Sequence, residues 1–197
     1  MHMDELLNST NKRSAIVIAA INLFAKKGYD GTTISDIAQA AGVTQGAIYK
    51  HYPSKEALGK TIFETVINDY STELTAILEG TSDLAQRIDA TVELTYRFYA
   101  KYPTAVCFTL KSQHNFWDYL SEPIVHPHLL FNRIIREAME TDQLPKGNLI
   151  TVGGLFTGAL MEPLTFHFYL AKDPLDIEKM STCVAQHLKR MLVHNHQ

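Results

Sequence analysis

The sequence predicts an all-α chain of about nine helices, and three observations predict it. Apolar residues recur at helical spacing along most of the 197 residues, no stretch alternates in the manner of a strand, and capping and stop residues punctuate the runs. No internal repeat interrupts this pattern.

The first helix is predicted over residues 12–27. Ile16, Ala19, Ala20, Leu23 and Phe24 share one face, Lys26 and Lys27 suit the negative carboxyl end, and Gly28 supplies the stop. Thr33 with Asp36 forms a capping-box pattern ahead of a short helix, ISDIAQAA, that Gly42 ends. Thr44 then caps a third helix, with Val43 and Ile48 spaced as a hydrophobic staple, and Pro53 stops it. Ser54 caps a fourth, whose period from Leu58 to Ile77 runs unbroken to Gly80. Further helices are predicted over about 83–102, 103–115, 129–140, 148–171 and 176–193, with residues 117–128, carrying Pro123 and Pro127, irregular.

Hydrophobic residues at 46% and charged residues at 20% describe an ordinary soluble chain. The net charge of -3 is unevenly spread: residues 1–60 hold seven Lys and Arg against five Asp and Glu, a net of +2, which leaves -5 for the rest. Cys107 and Cys183 are single and no signal-peptide pattern precedes the first helix, so both are expected as buried thiols in a reduced, cytoplasmic setting. The apolar stretch Leu149 to Ala171 approaches the length of a membrane span. Glu162, Pro163 and His167 lie within it, and an acidic group at mid-membrane costs about 2.5 to 3.5 kcal/mol, so a buried helix of a soluble protein is expected and no membrane partner.

No G-x-S-x-G, H-E-x-x-H or glycine-rich phosphate loop is present, so no enzyme and no cofactor is expected. The rival classes are a helical metalloenzyme using His126 and His128, and a protein-interaction module. His126-Pro127-His128 lacks nearby cysteine or carboxylate spacing and reads as a surface loop, so no metal site is predicted.

Two short helices joined by AGVT suggest a helix-turn-helix over about 33–52, with Ala38 at the close contact, Gly42 in the turn and Ile48 as buried anchor. Tyr52, four residues after Ile48, is expected in the core. The stretch AAINLFAKKGYDGTTISDIAQAAGVTQGAIYKHYPSKEAL resembles the DNA-binding domain of the TetR family of bacterial transcriptional regulators. Leu23-Phe24, Gly28-Tyr29, Thr33, Ile37-Ala38, Ala41-Gly42-Val43, Ile48-Tyr49, His51-Tyr52 and Ser54-Lys55-Glu56 carry the resemblance.

That resemblance implies a DNA-binding domain at 9–63 and a helical ligand-binding and dimerisation domain at 64–197. It implies a repressor that binds a palindromic operator as a homodimer and is released by a small apolar or aromatic effector; a regulator without effector, or an activator, is the alternative. Thr44, Gln45, Gly46 and Ala47 would face the bases, Gln45 pairing with adenine and Ala47 and the Thr44 methyl touching thymine methyls. Tyr49, Lys50 and His51 would reach phosphates or the groove edge, and Thr33 a phosphate. Lys55, a cation in the first turn of a helix, opposes the helix dipole, and a phosphate held there would offset that penalty.

In the remaining two thirds, Ile177, Met180, Val184, Leu188 and Met191 form a stripe and Gly154 and Gly158 a small-residue strip, the expected dimer interface. Phe98, Tyr102, Phe116, Trp117, Glu162 and His167 are the candidate effector-binding residues, with Pro163 expected to kink its helix.

Overall fold

The computed structural model describes residues 2–8, 11–116, 120–171 and 176–193, so Trp117 lies outside the described residues. Among these are eleven helices and no strand: α1 (Met3–Asn8), α2 (Lys12–Lys27), α3 (Ile34–Ala41), α4 (Gln45–His51), α5 (Lys55–Gly80), α6 (Leu84–Lys101), α7 (Pro103–Lys111), α8 (Gln113–Phe116), α9 (Pro127–Glu140), α10 (Leu149–Leu170) and α11 (Ile177–Leu192). The nine expected helices are present. The two extra ones are α1 and α8, the latter split from α7 at Ser112.

The chain forms two compact units, and they do not follow a single cut in the sequence. Residues 1–69 and 102–124 make the first, residues 70–101 and 125–197 the second, so α5 runs through the boundary and α7 and α8 return to the first unit.

An aromatic cluster fills the first unit. Phe24 stacks on Phe108 at 5.1 Å between centroids and meets Tyr29 at 5.3 Å, while Phe116 meets Tyr29 at 5.0 Å and Phe63 at 5.4 Å. Such pairs add about 0.5–1.5 kcal/mol each beyond the area they bury. Helix α1 buries Met3 and Leu6 and is tied down by its polar groups: the Met3 amide donates to Asp69 at 2.7 Å and the Tyr102 hydroxyl to Asp4 at 2.7 Å.

The second unit is organised around α6, whose buried face includes Arg87, Ile88, Val92, Tyr96 and Tyr99. Arg87 donates to the Leu78 carbonyl at 2.8 Å, the Thr81 carbonyl at 2.6 Å and Glu137 of α9 at 2.7 Å. Thr95 gives its proton to the Thr91 carbonyl at 2.6 Å, which leaves its oxygen to accept from Tyr70 at 2.7 Å. Tyr99 and His167 Nδ1 of α10 lie at 3.0 Å.

Helix α10 departs from expectation. It is long and apolar enough to cross a membrane, yet it is not a buried helix within the chain, because only Gly153, Phe156, Leu160 and Leu164 are buried. Ile150, Leu155, Phe166 and Leu170 are exposed at 82%, 56%, 61% and 69%. Pro163 sits inside the helix. Residues 127 and 128 were expected in irregular chain, but Pro127 is the first residue of α9, where its fixed φ suits the first turn. The His126-Pro127-His128 stretch is not a surface loop: His126 is buried, its ring stacked on His128 at 4.9 Å between centroids. Cys107 is buried and its thiol is pushed up to about 12 by desolvation, whereas Cys183 is exposed, against expectation.

Candidate nucleic-acid interface

The site is α3, the turn after it, and α4. Thr33 Oγ1 accepts from the Asp36 amide at 3.1 Å and Asp36 accepts from the Thr33 amide at 2.9 Å, a closed capping box. That backbone hydrogen bond, then the Thr33 hydroxyl, hold the Asp36 carboxyl below its ordinary range. Gly42 takes the left-handed conformation, φ 64° and ψ 35°, and turns the chain. Thr44 then accepts from the Ala47 amide at 3.2 Å and starts α4.

Helical spacing sorts α4 into two faces. Ile48 is fully buried and Tyr52, one turn on, is 3% exposed, so both anchor the helix from below. Gly46 and Lys50 lie on the opposite arc and Gln45 and Tyr49 flank the buried face, and all four are exposed, Tyr49 at 51%. Thr44 and His51 are exposed and Ala47 is half-buried. A Cβ built on Gly46 would meet only Thr44 Oγ1, at 3.9 Å, so nothing else stands over this part of the backbone. The helix carries Lys50 and His51 and no acid. A low, uncluttered helix face with a lysine on it suits entry into a groove lined by phosphate.

Lys55 is placed otherwise than its position alone suggests. Its ammonium donates to the carbonyls of Tyr29 at 2.9 Å and Thr32 at 3.0 Å and lies 4.3 Å from the Tyr29 ring centroid. Those contacts offset the dipole penalty within the fold and pin the turn before α3 to the start of α5. Sequence reasoning missed Arg13, whose Nε donates to the Tyr52 hydroxyl at 3.1 Å with the guanidinium 5.8 Å from the ring centroid. The signal was available: Arg13, like Lys55, is a cation in the first turn of a helix.

The model of bacterial regulatory proteins of the tetR family matches residues 16–61, which contain this whole unit. Residues 16–61 are thus similar to the DNA-binding domain of the TetR family. Its relatives include the HTH-type transcriptional repressor KstR2 of Rhodococcus jostii, 30% identical over 93 residues, or 47% of this chain and 46% of that one. The biofilm operon icaADBC HTH-type negative transcriptional regulator IcaR of Staphylococcus aureus is 33% identical over 89 residues, 44% and 45% of the two chains. The matched stretch thus spans about half the length of these relatives. The ketosteroid transcriptional regulator KstR2 of Mycobacterium tuberculosis shares the fold with a TM-score of 0.78 at 15% identity, covering 95% of this chain and 97% of that one. The matched stretch is a helix-turn-helix of the DNA-binding kind, and the relatives it matches are transcriptional regulators.

The residues expected at an effector site and an interface are distributed unevenly. Phe98, Glu162 and His167 belong to the second unit, whereas Tyr102 and Phe116 belong to the first. Tyr102 is bonded to Asp4, and Phe116 is a core ring of the aromatic cluster, 2% exposed. Glu162 is exposed on α10 beside His167, in an open groove lined also by Gly158, Phe166, Leu170 and Met180. Of the expected interface stripe, Leu188 is 1% exposed and packs with Ala185 and Leu192 inside its own unit. Ile177 and Met191 are exposed at 38% and 45%, Met180 and Val184 half-buried. Gly154 and Gly158 have nothing within 4 Å of a built Cβ. Among the described residues no group of three metal-ligating side chains forms.

Proposed function

We propose that this chain is a homodimeric repressor that binds a palindromic operator through α4 and is released by a small apolar or aromatic effector. The observation that carries the DNA reading is the division of α4: Ile48 and Tyr52 are buried while Gln45, Gly46, Tyr49 and Lys50 are all exposed. Gln45 then reads an adenine edge, Thr44 and Ala47 meet thymine methyls, and Tyr49, Lys50, His51 and Thr33 hold the backbone.

The dimer reading rests on the uncovered face of α10. Ile150, Leu155, Phe166 and Leu170 together make an exposed apolar surface of the kind that marks an interface. Gly154 and Gly158 allow a second helix to approach closely, and Ile177, Met180, Val184 and Met191 extend the face onto α11. A second copy suits it better than lipid, because Glu162 lies on the same helix and would be unpaired in hydrocarbon. Two-fold pairing would set two copies of α4 one helical turn of DNA apart, or a multiple of it.

The effector reading rests on the second unit, where His167 pairs with Tyr99 and lines an apolar groove with Glu162 and Phe166. A cytoplasmic setting follows from the role. Incubating the purified chain with fragments of its source genome at about 0.15 M salt, where non-specific binding is weak, and sequencing what is retained tests the whole reading. Enrichment of a palindrome, lost in Tyr49→Ala with Lys50→Ala, is the expected result. A dimer that enriches no sequence, after extraction has shown that no small molecule came with it, sinks it.

A further inference from the structure

Gly59 lies in the first turns of α5 and is buried. A Cβ at this position would stand 2.7 Å from Phe116 Cζ and 2.9 Å from Tyr29 Cε2, closer than carbon atoms pack. The absence of a side chain at Gly59 is therefore what lets the Phe116 ring of α8 reach the Tyr29 ring, edge to face at 5.0 Å and 77°. Tyr29 is in turn tied to α5 by Lys55, which holds the Tyr29 and Thr32 carbonyls, and Thr32 is anchored through its hydroxyl to the Gly28 carbonyl at 2.8 Å. The next residue, Thr33, is the cap of α3.

We infer that Phe116, seated in the Gly59 notch against Tyr29, is the positioning residue through which α7 and α8 set the pose of the helix-turn-helix. The inference rests on the regulator reading for its purpose, but its physical content is local. Helices α7 and α8 follow α6 in the chain, and their side chains Phe108 and Phe116 pack with Phe24, Tyr29 and Phe63 of the first unit. A shift of α8 by a fraction of a ring width has no slack to absorb it, because the notch is filled from both sides. The displacement passes to Tyr29, then through the Lys55 clamp and the Thr33 cap to α3 and α4. Phe116 thus serves the coupling of the units and not effector binding.

The test uses the full chain and compares Phe116→Ala with Phe108→Ala, a neighbouring cluster ring that meets Phe24 and Phe116 but is not among the atoms at Gly59. Amide exchange is followed residue by residue, and binding is measured on the fragment recovered by the genomic selection. Phe116→Ala is expected to speed exchange at residues 32–51 at least tenfold beyond the rest of the first unit, and to weaken operator binding about tenfold. Phe108→Ala is expected to lower the melting temperature as much while exchange rises evenly and binding changes less than threefold. Gly59→Ala alone should reproduce the Phe116→Ala result, and in the Phe116→Ala background it should add less than it does alone, since only the contact with Tyr29 Cε2 then remains. If Gly59→Ala does not fold, the Phe116→Ala comparison still decides. Even exchange across the first unit in Phe116→Ala, or equal effects in the two phenylalanine variants, overturns the inference. Failure of the wild-type chain to select any DNA would count against the regulator reading, while the exchange pattern would still decide the coupling.

Discussion

The two units solve the burial of polar groups differently. In the first, buried hydroxyls bond within their own turn: Ser14 donates to the Asn11 carbonyl, Thr32 to Gly28, Thr65 to Thr61 and Thr109 to Ala105. Its core helices are positioned against one another by rings, with polar ties at α1, at Arg13 and at Lys55. In the second, polar bonds cross between helices: Arg87 of α6 reaches Glu137 of α9, Tyr70 of α5 reaches Thr95 of α6, and Tyr99 of α6 reaches His167 of α10. Apolar packing tolerates small displacements poorly in volume but indifferently in direction, whereas a crossing hydrogen bond fixes register. The first unit presents a rigid object to a partner, and the second is specified by a few bonds whose loss is felt along whole helices.

Arg87→Ala is the largest way to break that contrast. The guanidinium side chain is 5% exposed and serves three acceptors, so truncation leaves the buried Leu78 carbonyl and the half-buried Thr81 carbonyl short of a donor, while Glu137 keeps its bond from Arg133. A loss of about 2–3 kcal/mol is expected in urea unfolding. A loss below about 1 kcal/mol would mean that packing alone holds the second unit.

Acid offers a second separation. Burial first, then the neighbouring His128, lower His126 from its ordinary 6.5 to about 4, and burial lowers His128 in the same direction. Both rings stay neutral in the folded chain while the unfolded chain takes up protons near 6.5. Between those values the unfolded state binds more protons, so their contribution is complete above about pH 6.5 and is lost as pH falls to about 4. Asp36 in the first unit has its carboxyl lowered below 3.8, so its contribution is lost only further into acid. Melting followed by amide exchange between pH 7 and 4 should show the second unit weakening first; uniform weakening would erase the distinction.

Smaller by design is Thr33→Ala, which removes the cap oxygen that accepts from the Asp36 amide. About 1 kcal/mol of stability should be lost by thermal melting, with the effect confined to α3 in exchange.

What was legible follows the same division. The bounds of α2, α3 and α4 can be read from sequence because each depends on residues within one or two turns, such as the Thr33–Asp36 box and the left-handed Gly42. Helix α1 could not be read: six residues give no period, and it is held by packing on α2 and by bonds to the distant Asp69 and Tyr102. The stripe on α11 was visible, but Leu188 lies at its edge, where a few tens of degrees decide between its own core and the outside. The Gly59 notch needs Phe116, 57 positions away in the chain. The placement of Phe116 in the core was equally hidden, since an aromatic residue on a short helix looks the same whether it lines a cavity or fills one.

Lys50 and Lys55 make the finest comparison, since both are cations at the ends of neighbouring helices and only one is committed within the fold. Lys50 is exposed on the outward arc of α4. Its replacement by Ala should leave stability within about 0.5 kcal/mol and lower the slope of log K against log salt by about 1, weakening all DNA sequences alike. Lys55 spends two of its three donors on the Tyr29 and Thr32 carbonyls and its charge on the Tyr29 ring. Lys55→Ala should therefore cost stability and loosen the turn before α3. Operator binding should fall mainly through the displaced helix-turn-helix, with the salt slope changed by less than that of Lys50→Ala. An equal drop in slope for both variants would show that the third donor of Lys55 holds a phosphate, as the helix dipole argument alone would have it. In that case one side chain both closes the turn and touches the DNA, and the rigidity of the first unit would depend on the partner it binds.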